Sequence, residues 1–211
     1  MKITERIATA ISNSCDRHGI DLREAEIDLI AVDLLWDGVV NNTTTIDELE
    51  QGAVFKWGKK EYIKLDATSA GCLCLAKDVW FKSKFDDQTN DWSKSQLRGY
   101  IATKAIDFIP DIDKLMLFDR DLTTDDGLTD YGHCKDNVSM LTCNEYREYR
   151  RYIPDIDKWC WTITAWTRDG DWVRCVDTNG CIDRGYAEDN DYGGVRPLIC
   201  LANDTLVEVR E

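Results

Sequence analysis

Long apolar segments are missing from this chain of 211 residues. No stretch reaches the roughly 18 apolar residues that a membrane-spanning helix needs. The opening stretch, MKITERIATAISNSCDRHG, lacks the uninterrupted apolar run of a secretory signal peptide. We therefore expect synthesis in the cytoplasm without a signal peptide, and no membrane insertion. Association with a virion is compatible with both expectations.

Positive charge is also scarce. The chain has 26 lysines and arginines against 40 aspartates and glutamates, which gives a net charge of −14. A field of this sign repels phosphate backbones and anionic membranes. We therefore expect no nucleic-acid partner.

Histidines and closely paired cysteines are few. The histidines are His18 and His133, and none of the nine cysteines falls in a CxxC pair, so a zinc site with four ligands has little support. The odd count and the missing export signal predict free thiols that are buried for structural reasons. In GCLCLA, for example, Cys72 and Cys74 alternate as the inward-facing residues of a strand do.

Motifs of the commonest enzyme classes are absent too. The sequence contains no GxSxG, Walker loop, HExxH or dinucleotide fingerprint. The loop from Asp119 to Asp130 gathers carboxylates that suit calcium, but it lacks the register and the closing glutamate of an EF-hand. Asp-Gly turns explain such a loop without a metal. We predict no enzymatic activity, no cofactor and no bound metal.

The N-terminal part has the spacing of helices. Apolar residues recur at helical intervals over residues 3–36, with a break at His18-Gly19. A polar Asn-Thr run follows. We predict an N-terminal helical segment over 1–50, suited to oligomer formation or to docking on a larger particle, and one domain over 51–211.

The second part alternates short strands with two helices. Strands over VFKWG, EYIKLDAT and GCLCLAKDVWF should form a meander. A helix over NDWSKSQLRGYIATKAIDFI should begin at Asp91 or Ser93, and another should run from Thr142 to Pro154. LMLFD, WCWTITAW and a final pair, VRPLICLA with LVEV, should add strands. The pattern predicts an α+β domain with a small twisted antiparallel sheet, flanking helices and much irregular chain.

The sequence also contains a short internal repeat. The sequence IPDIDK occurs at Ile109–Lys114 and again at Ile153–Lys158, each time after a helix and before an apolar strand. The repeat is better explained as a connector that is used twice between a helix and a strand than as a duplicated acidic metal-binding site.

The most unusual segment is TRDGDWVRCVDTNGCIDRGYAEDNDYGG, residues 167–194. Asp, Gly, Asn, Arg, Cys and Tyr dominate it, and only Val173, Val176, Ile182 and Ala187 are spaced as inward anchors. We expect it to be irregular, and long irregular segments in compact domains are usually functional or disordered. Its composition resembles that of antibody loops, in which Tyr, Trp and Arg supply contact energy.

We therefore expect a ligand-recognition surface at about 166–194, directed at a protein or another macromolecule. It should combine aromatic anchors, arginines that make forked polar contacts, and carboxylates that favour a basic partner. The expected ligand-facing residues are Asp169, Asp171, Trp172, Arg174, Asp177, Asp183, Arg184, Tyr186, Asp189, Asn190, Asp191 and Tyr192.

Three stretches carry a resemblance: DRDLTTDDGLTDYG, VSMLTCNEYREYRRYIPDIDKWCWTITAW and GVRPLICL. Together they are similar to a family of bacterial and phage proteins of unknown function found in gut bacteria, over about residues 52–203. The resemblance implies a C-type-lectin-like fold. It also implies a variable protein of a diversity-generating retroelement, in which template adenines are miscopied into the 3′ end of the target gene and a receptor or adhesin surface is diversified.

The residue types of the segment can be compared with this mechanism. Mutation of Asn codons at their adenines yields Asp, Gly, Tyr, Arg, Cys, Ser, His and several others, but not Trp, Lys, Met, Gln or Glu. Between Asp169 and Gly193, every residue except Trp172 and Glu188 belongs to the reachable set, and lysine is absent from this window. The pattern favours diversification.

Two other functions stay open. Formylglycine-generating oxidases share the broad lectin-like fold and use a close cysteine pair, which here would be Cys175 and Cys181, although their spacing departs from the oxidase pattern. A structural phage component, docked through the N-terminal helices, is the other alternative.

Overall fold

The computed structural model of the chain describes residues 3–18, 23, 26–27, 30, 43–189 and 193–209. The chain divides into two compact units, Met1–Thr43 and Thr44–Glu211. The N-terminal unit contains helix α1, Ile3–His18, which confirms the first predicted helix and its end at His18. The second helical run, predicted up to residue 36, lies mostly outside the described residues. Among the described helices, none is long and apolar enough to cross a membrane.

The second unit begins ahead of the boundary expected near residue 50. Ile46 has no exposed surface and is part of the main core of this unit. Its backbone N–H donates to the carbonyl oxygen of Thr205 at 2.9 Å. The chain from Ile46 to residue 50 therefore belongs to the packed domain and not to the N-terminal segment.

Short strands and two helices make up most of the second unit. The helices are α2 (Gln96–Phe108) and α3 (Cys143–Tyr149). The strands are β1 (Thr43–Thr45), β2 (Val54–Trp57), β3 (Lys60–Ala67), β4 (Cys72–Ala76), β5 (Phe81–Ser83), β6 (Phe118–Asp121), β7 (His133–Asp136), β8 (Val138–Ser139), β9 (Cys160–Ala165), β10 (Trp172–Val176), β11 (Ile182–Tyr186), β12 (Gly193–Val195), β13 (Leu198–Leu201) and β14 (Leu206–Val209).

These strands form three sheets. A seven-stranded sheet has the order β1-β14-β2-β3-β4-β13-β8, a five-stranded sheet has the order β11-β10-β9-β12-β5, and β6 pairs with β7. The described registers are antiparallel, apart from one parallel contact between Gly194 of β12 and Cys160 of β9. The protein is therefore of the mixed α+β class, with antiparallel sheets and few helices, as the sequence predicts.

The predicted meander is confirmed as β2, β3 and β4, and apolar side chains cover both of its faces. Neighbouring strand residues point to opposite faces. Tyr62 lies in the main core and Ile63 in a second core with Leu75, and each of the three is at most 1% exposed. Cys72 and Cys74 are both fully buried, as their alternation predicts.

Helix α2 starts later than expected. Its N-cap is Ser95, whose side chain accepts the backbone N–H of Arg98 at 3.2 Å. Asp91, one of the two expected caps, instead accepts the backbone N–H of Ser93 at 2.9 Å and caps a separate 3₁₀ turn. The segment contains two capping residues, and each satisfies its own turn.

Three predicted strands are placed differently in the structure. The strand expected at LMLFD begins only at Phe118, since the chain before it forms a single bridge from Leu115 to Leu201. VRPLICLA is divided between the two large sheets as β12 and β13, with Arg196 and Pro197 between them. LVEV, as β14, pairs with β2 rather than with β13. A local pattern shows which residues are extended but not which distant strand they meet.

A buried ion pair joins the two-stranded sheet to helix α3. Arg120 of β6 is 2% exposed, and its two terminal nitrogens donate to the two carboxylate oxygens of Glu145 at 2.6 Å each. Nη2 also donates to the carbonyl oxygen of Met140 at 2.8 Å. Glu145 in turn completes a capping box by accepting the backbone N–H of Thr142 at 2.7 Å. One carboxylate therefore starts the helix and neutralises a buried guanidinium.

Glu145→Ala should lower the free energy of unfolding by about 3–5 kcal/mol, because it leaves the Arg120 charge buried and unpaired. Urea denaturation followed by circular dichroism measures this change. The matched control is Glu148→Ala, which removes an exposed carboxylate from the same helix and should change stability by no more than about 0.5 kcal/mol. Equal losses in the two variants would contradict the role given to the ion pair.

Candidate functional site

The segment 167–194, expected to be irregular, contains a β-hairpin. Strands β10 and β11 pair antiparallel, with Trp172 opposite Tyr186 and Arg174 opposite Arg184. The expectation was wrong because Asp, Arg and Gly occupy positions where a half-buried strand usually carries Val, Ile or Thr. Period-two alternation is nevertheless present, and it gives the hairpin two chemically different faces.

The inner face of the hairpin packs on the main core. Val173 and Cys175 are 0% and 5% exposed, and Ala187, just after β11, is 3% exposed. Val173 and Ala187 are thus confirmed as inward anchors, whereas Cys175 is an anchor that the pattern did not predict. The other expected anchors, Val176 and Ile182, are only half-buried and pack against the second core.

Trp161 of β9 lies directly beneath this inner face. It is 2% exposed, and its indole Nε1 donates to the carbonyl oxygen of Ser83 at 2.9 Å. A Cβ atom on Gly185 would lie 3.0 Å from the Trp161 ring, and one on Gly193 would lie 2.5 Å from Nε1. Glycine at these two positions therefore lets β11 and β12 approach the indole closely.

The outer face carries aromatic and arginine side chains that contact one another. The ring centroids of Trp172 and Tyr186 lie 3.6 Å apart. The guanidinium carbon of Arg184 lies 3.7 Å from the ring centroid of Trp166 and 4.8 Å from that of Trp172, within the range of cation–π attraction. Tyr186 is 46% exposed, and Arg184 is exposed as well. We call Trp166, Trp172, Arg184 and Tyr186 the aromatic–arginine cluster.

The second expected arginine is committed to an intramolecular ion pair. Arg174 donates through Nη2 to the carboxylate of Asp125, which also lies 3.4 Å from Arg147. Its guanidinium carbon is 5.8 Å from the ring centroid of Trp166. Arg174 therefore joins the outer face to the acidic loop, which runs from Asp119 to Asp130. Its guanidinium is not left free for a ligand.

The acidic loop uses its carboxylates within the protein. Asp125 makes the arginine contacts just described. Hydrogen bonds from Thr123 and Thr124 lower the pKa of Asp121 and Asp126, respectively. No group of three or more metal-ligating side chains is found among the described residues.

The expected ligand-facing carboxylates of the hairpin do not share one surface. Asp171 is exposed next to β10. Asp183 is exposed too, but it pairs with Cys175 and so lies on the opposite side of the strand from Arg184. Asp177 holds the hairpin turn, where its carboxylate accepts two backbone N–H groups at 2.8 Å each.

The ends of the segment hold the remaining expected residues. Asp169 is exposed, has a φ of 53° and pairs with Arg168 at 2.7 Å. Asp189 is half-buried, and its N–H donates to the carbonyl oxygen of Tyr186 at 2.9 Å. Asn190, Asp191 and Tyr192 lie outside the described residues.

Buried Asn90 positions the chain that leads into the hairpin, a role that no local sequence pattern predicted. It is 1% exposed, and its side-chain amide donates to the carbonyl oxygens of Thr167 and Trp172 at 2.8 and 3.0 Å. Its Oδ1 accepts the hydroxyl of Tyr131 at 2.7 Å, and that hydroxyl accepts the N–H of Asp169 at 2.8 Å. An Asn before a helix is equally typical of a cap, so the long-range role leaves no local signal.

The two cysteines of the oxidase alternative lie in different environments. All described cysteines are free. Cys175 is buried, and this burial raises its pKa to about 12, whereas Cys181 is exposed in the turn. The reactive thiolate is therefore disfavoured at Cys175 near neutral pH.

Asn90→Ala should lower the free energy of unfolding by about 1–3 kcal/mol, because the carbonyl oxygen of Thr167 loses its side-chain donor and that of Trp172 keeps only the backbone N–H of Trp166. Urea denaturation measures this loss, and trypsin cleavage after exposed Arg168 should become faster. Gln88→Ala is the matched control, since it removes an exposed side-chain amide from the same segment. If the control loses as much stability, Asn90 does not position the hairpin.

No protein-family model matches the chain, and neither a curated protein nor a solved structure was found that matches it.

Proposed function

We propose that this protein is a non-enzymatic binding protein of the receptor or adhesin type, and that the outer face of the β10–β11 hairpin is its recognition surface. The observation that carries the proposal is the aromatic–arginine cluster. It stands on the side of the hairpin opposite to Val173 and Cys175, which are buried in the core. A protein or another macromolecule is the ligand that suits a broad surface of this kind.

The cluster has the chemistry of a binding hot spot. Trp, Tyr and Arg are the residues that most often carry binding energy at protein interfaces. Here the rings of Trp172 and Tyr186 are already in contact, and Arg184 already lies over two indole rings. Little side-chain entropy is then lost on binding, because the contact groups are ordered beforehand. The net charge of −14 favours a basic partner.

We further propose a C-type-lectin-like architecture for the second unit. Its mixed α+β composition and antiparallel sheets support this reading. The hairpin supports it as well, because β11 is an edge strand of the five-stranded sheet and can present side chains without disturbing the core. Substitutions at such exposed positions cost little stability.

The last element of the proposal is diversification by a retroelement. In that mechanism the residues of the cluster fall into two groups. Trp172 is not reached by adenine mutation of an Asn codon, and Trp166 precedes the compatible window, whereas Arg184 and Tyr186 are reachable. The cluster would then consist of two constant tryptophans and two changeable residues around them.

Sequencing the 3′ end of the gene in a natural population tests the diversification. Substitutions should concentrate between Asp169 and Gly193, at codons that match adenines in a template repeat. Exposed positions such as Arg184 and Tyr186 should vary most, while Trp172 and the upstream strand β9 stay constant. An invariant segment would refute diversification and leave the binding surface to be judged by the next experiment.

Tyr186→Ala tests the surface itself. The full-length protein is first screened against arrayed bacterial surface proteins and glycans, and the strongest ligand is used for titration. Tyr186→Ala should weaken this binding by about 1–4 kcal/mol while the melting temperature changes little. Tyr100→Ala is the matched control, because Tyr100 of α2 is 45% exposed against 46% for Tyr186. Equal affinity of the two variants would place the site elsewhere.

A further inference from the structure

A groove lies between helix α2 and residues 135–138, where β7 ends and β8 begins. Its volume is about 520 Å³. Ligand sites in proteins typically have volumes of roughly 300–1,000 Å³. No residue of the aromatic–arginine cluster lines the groove. It is therefore a second place on the molecule where a ligand has room to bind.

The groove has an apolar floor, and small residues of α2 form part of its wall. Ala105 of α2, Leu115 and Val138 line it and are at most 7% exposed. Gly99 and Ala102 of α2 line it and are exposed. A Cβ atom on Gly99 would meet no atom within 4 Å. Packing within the protein therefore does not require this glycine, and the space beside it is open to the main chain of a ligand.

Hydrogen bonds of Arg98 fix the two walls of the groove at the start of α2. Its Nε donates to a carboxylate oxygen of Asp136 at 2.8 Å, and its terminal nitrogens donate to the carbonyl oxygens of Ser93 and Lys135 at 3.0 and 3.1 Å. The other carboxylate oxygen of Asp136 accepts the indole N–H of Trp92 at 2.8 Å. Asp136 is 6% exposed, so its charge is neutralised within the protein. These bonds hold the groove in one shape before a ligand binds, which lowers the entropic cost of binding.

Two lysines beside Arg98 leave positive charge at this end of the groove. Lys135 is exposed and forms no ion pair with any described residue. Lys94 pairs with Asp91 at 2.8 Å, but its side chain is 74% exposed and its ammonium group has three donors. Among the described residues that line the groove, Asp136 is the only acid, against three cations. In a chain with a net charge of −14, this end is a local basic site that is complementary to an acidic group.

The dimensions and polarity of the groove suit a short peptide. The wall from Arg98 to Ala105 is roughly 10 Å long at 1.5 Å per helical residue, a length that about three extended peptide residues span. Exposed Asn137 also lines the groove, and its amide can both donate to and accept from a peptide main chain. We propose that the groove binds an acidic, partly apolar peptide segment of a partner protein, with a carboxylate between the two lysines and apolar side chains on the floor. This inference does not depend on the proposed recognition function.

Selection from a peptide library tests the proposal with the full-length protein. Random twelve-residue peptides displayed on phage are first depleted on the Gly99→Leu variant and then selected on the unchanged protein. Leu favours a helix more than Gly does, so Gly99→Leu should keep or raise the melting temperature while its side chain fills the groove. Depletion also removes peptides that bind the outer face of the hairpin, so the result is independent of that surface.

The selected peptides should share an acidic residue flanked by apolar ones. If no peptide survives the depletion, or if the shared charged residue is basic, the proposal is overturned.

Titrations of the most enriched peptide, made synthetically, locate the binding. Lys135→Glu and Gly99→Leu should each weaken it about tenfold or more. The control for charge is Lys59→Glu, because Lys59 is an exposed lysine outside the groove. The control for size is Tyr100→Leu, because the ring of Tyr100 packs on Phe81, with centroids 5.2 Å apart, and does not line the groove. Unchanged affinity in either groove variant, or equal losses in the controls, would overturn the proposal.

A fatty acid and a second copy of the chain are the competing occupants. If oleate raises the melting temperature of the unchanged protein but not that of Gly99→Leu, and no peptide is enriched, the groove is a fatty-acid site and the peptide proposal fails. Sedimentation equilibrium should show the same mass for the unchanged protein and for Gly99→Leu. A dimer that only this substitution dissociates would assign the groove to a second copy and would also overturn the proposal.

Discussion

The arrangement of the five-stranded sheet depends on the packing of one side chain, the indole of Trp161, beneath two glycines. Gly185 of β11 and Gly193 of β12 lie so close to the ring that a Cβ atom would meet it, and the indole N–H donates to Ser83 at the end of β5. A residue of β9 therefore contacts three other strands of its sheet. Because protein interiors are packed as densely as organic crystals, this ring fixes how near those strands lie to the core.

Polar groups then fix the parts that the apolar core alone would leave undetermined. Asn90 holds the chain on either side of the turn into β10, and the ion pair of Arg120 with Glu145 sets helix α3 against β6. Buried hydrogen bonds of this kind are directional, and leaving one unmade is costly, so they select one arrangement among several of similar apolar burial. Arg196 is similarly buried, but one of its terminal nitrogens lacks a partner.

Strand β10 takes part in three environments in only five residues. Val173 and Cys175 are buried in the main core, Trp172 lies in the aromatic–arginine cluster, and Val176 packs against the second core. This arrangement separates what can change from what cannot. Exposed positions of the outer face can be substituted at small cost to the core, whereas the residues around Trp161 and Arg196 are constrained by close contacts.

The sequence by itself determined the α+β class, the meander, the start of helix α3 at Thr142 and the burial of Cys72 and Cys74, since strand alternation and helix caps are local patterns. It also singled out the segment that carries the aromatic–arginine cluster. Only the tertiary structure decided that this segment is a hairpin and which of its side chains face outward. Asn90 bonds to residues 77 and 82 positions away, and Arg196 donates to the carbonyl oxygen of Ala76, 120 positions away. Contacts over such separations depend on strand pairing across the whole domain, and no local spacing of residues encodes them.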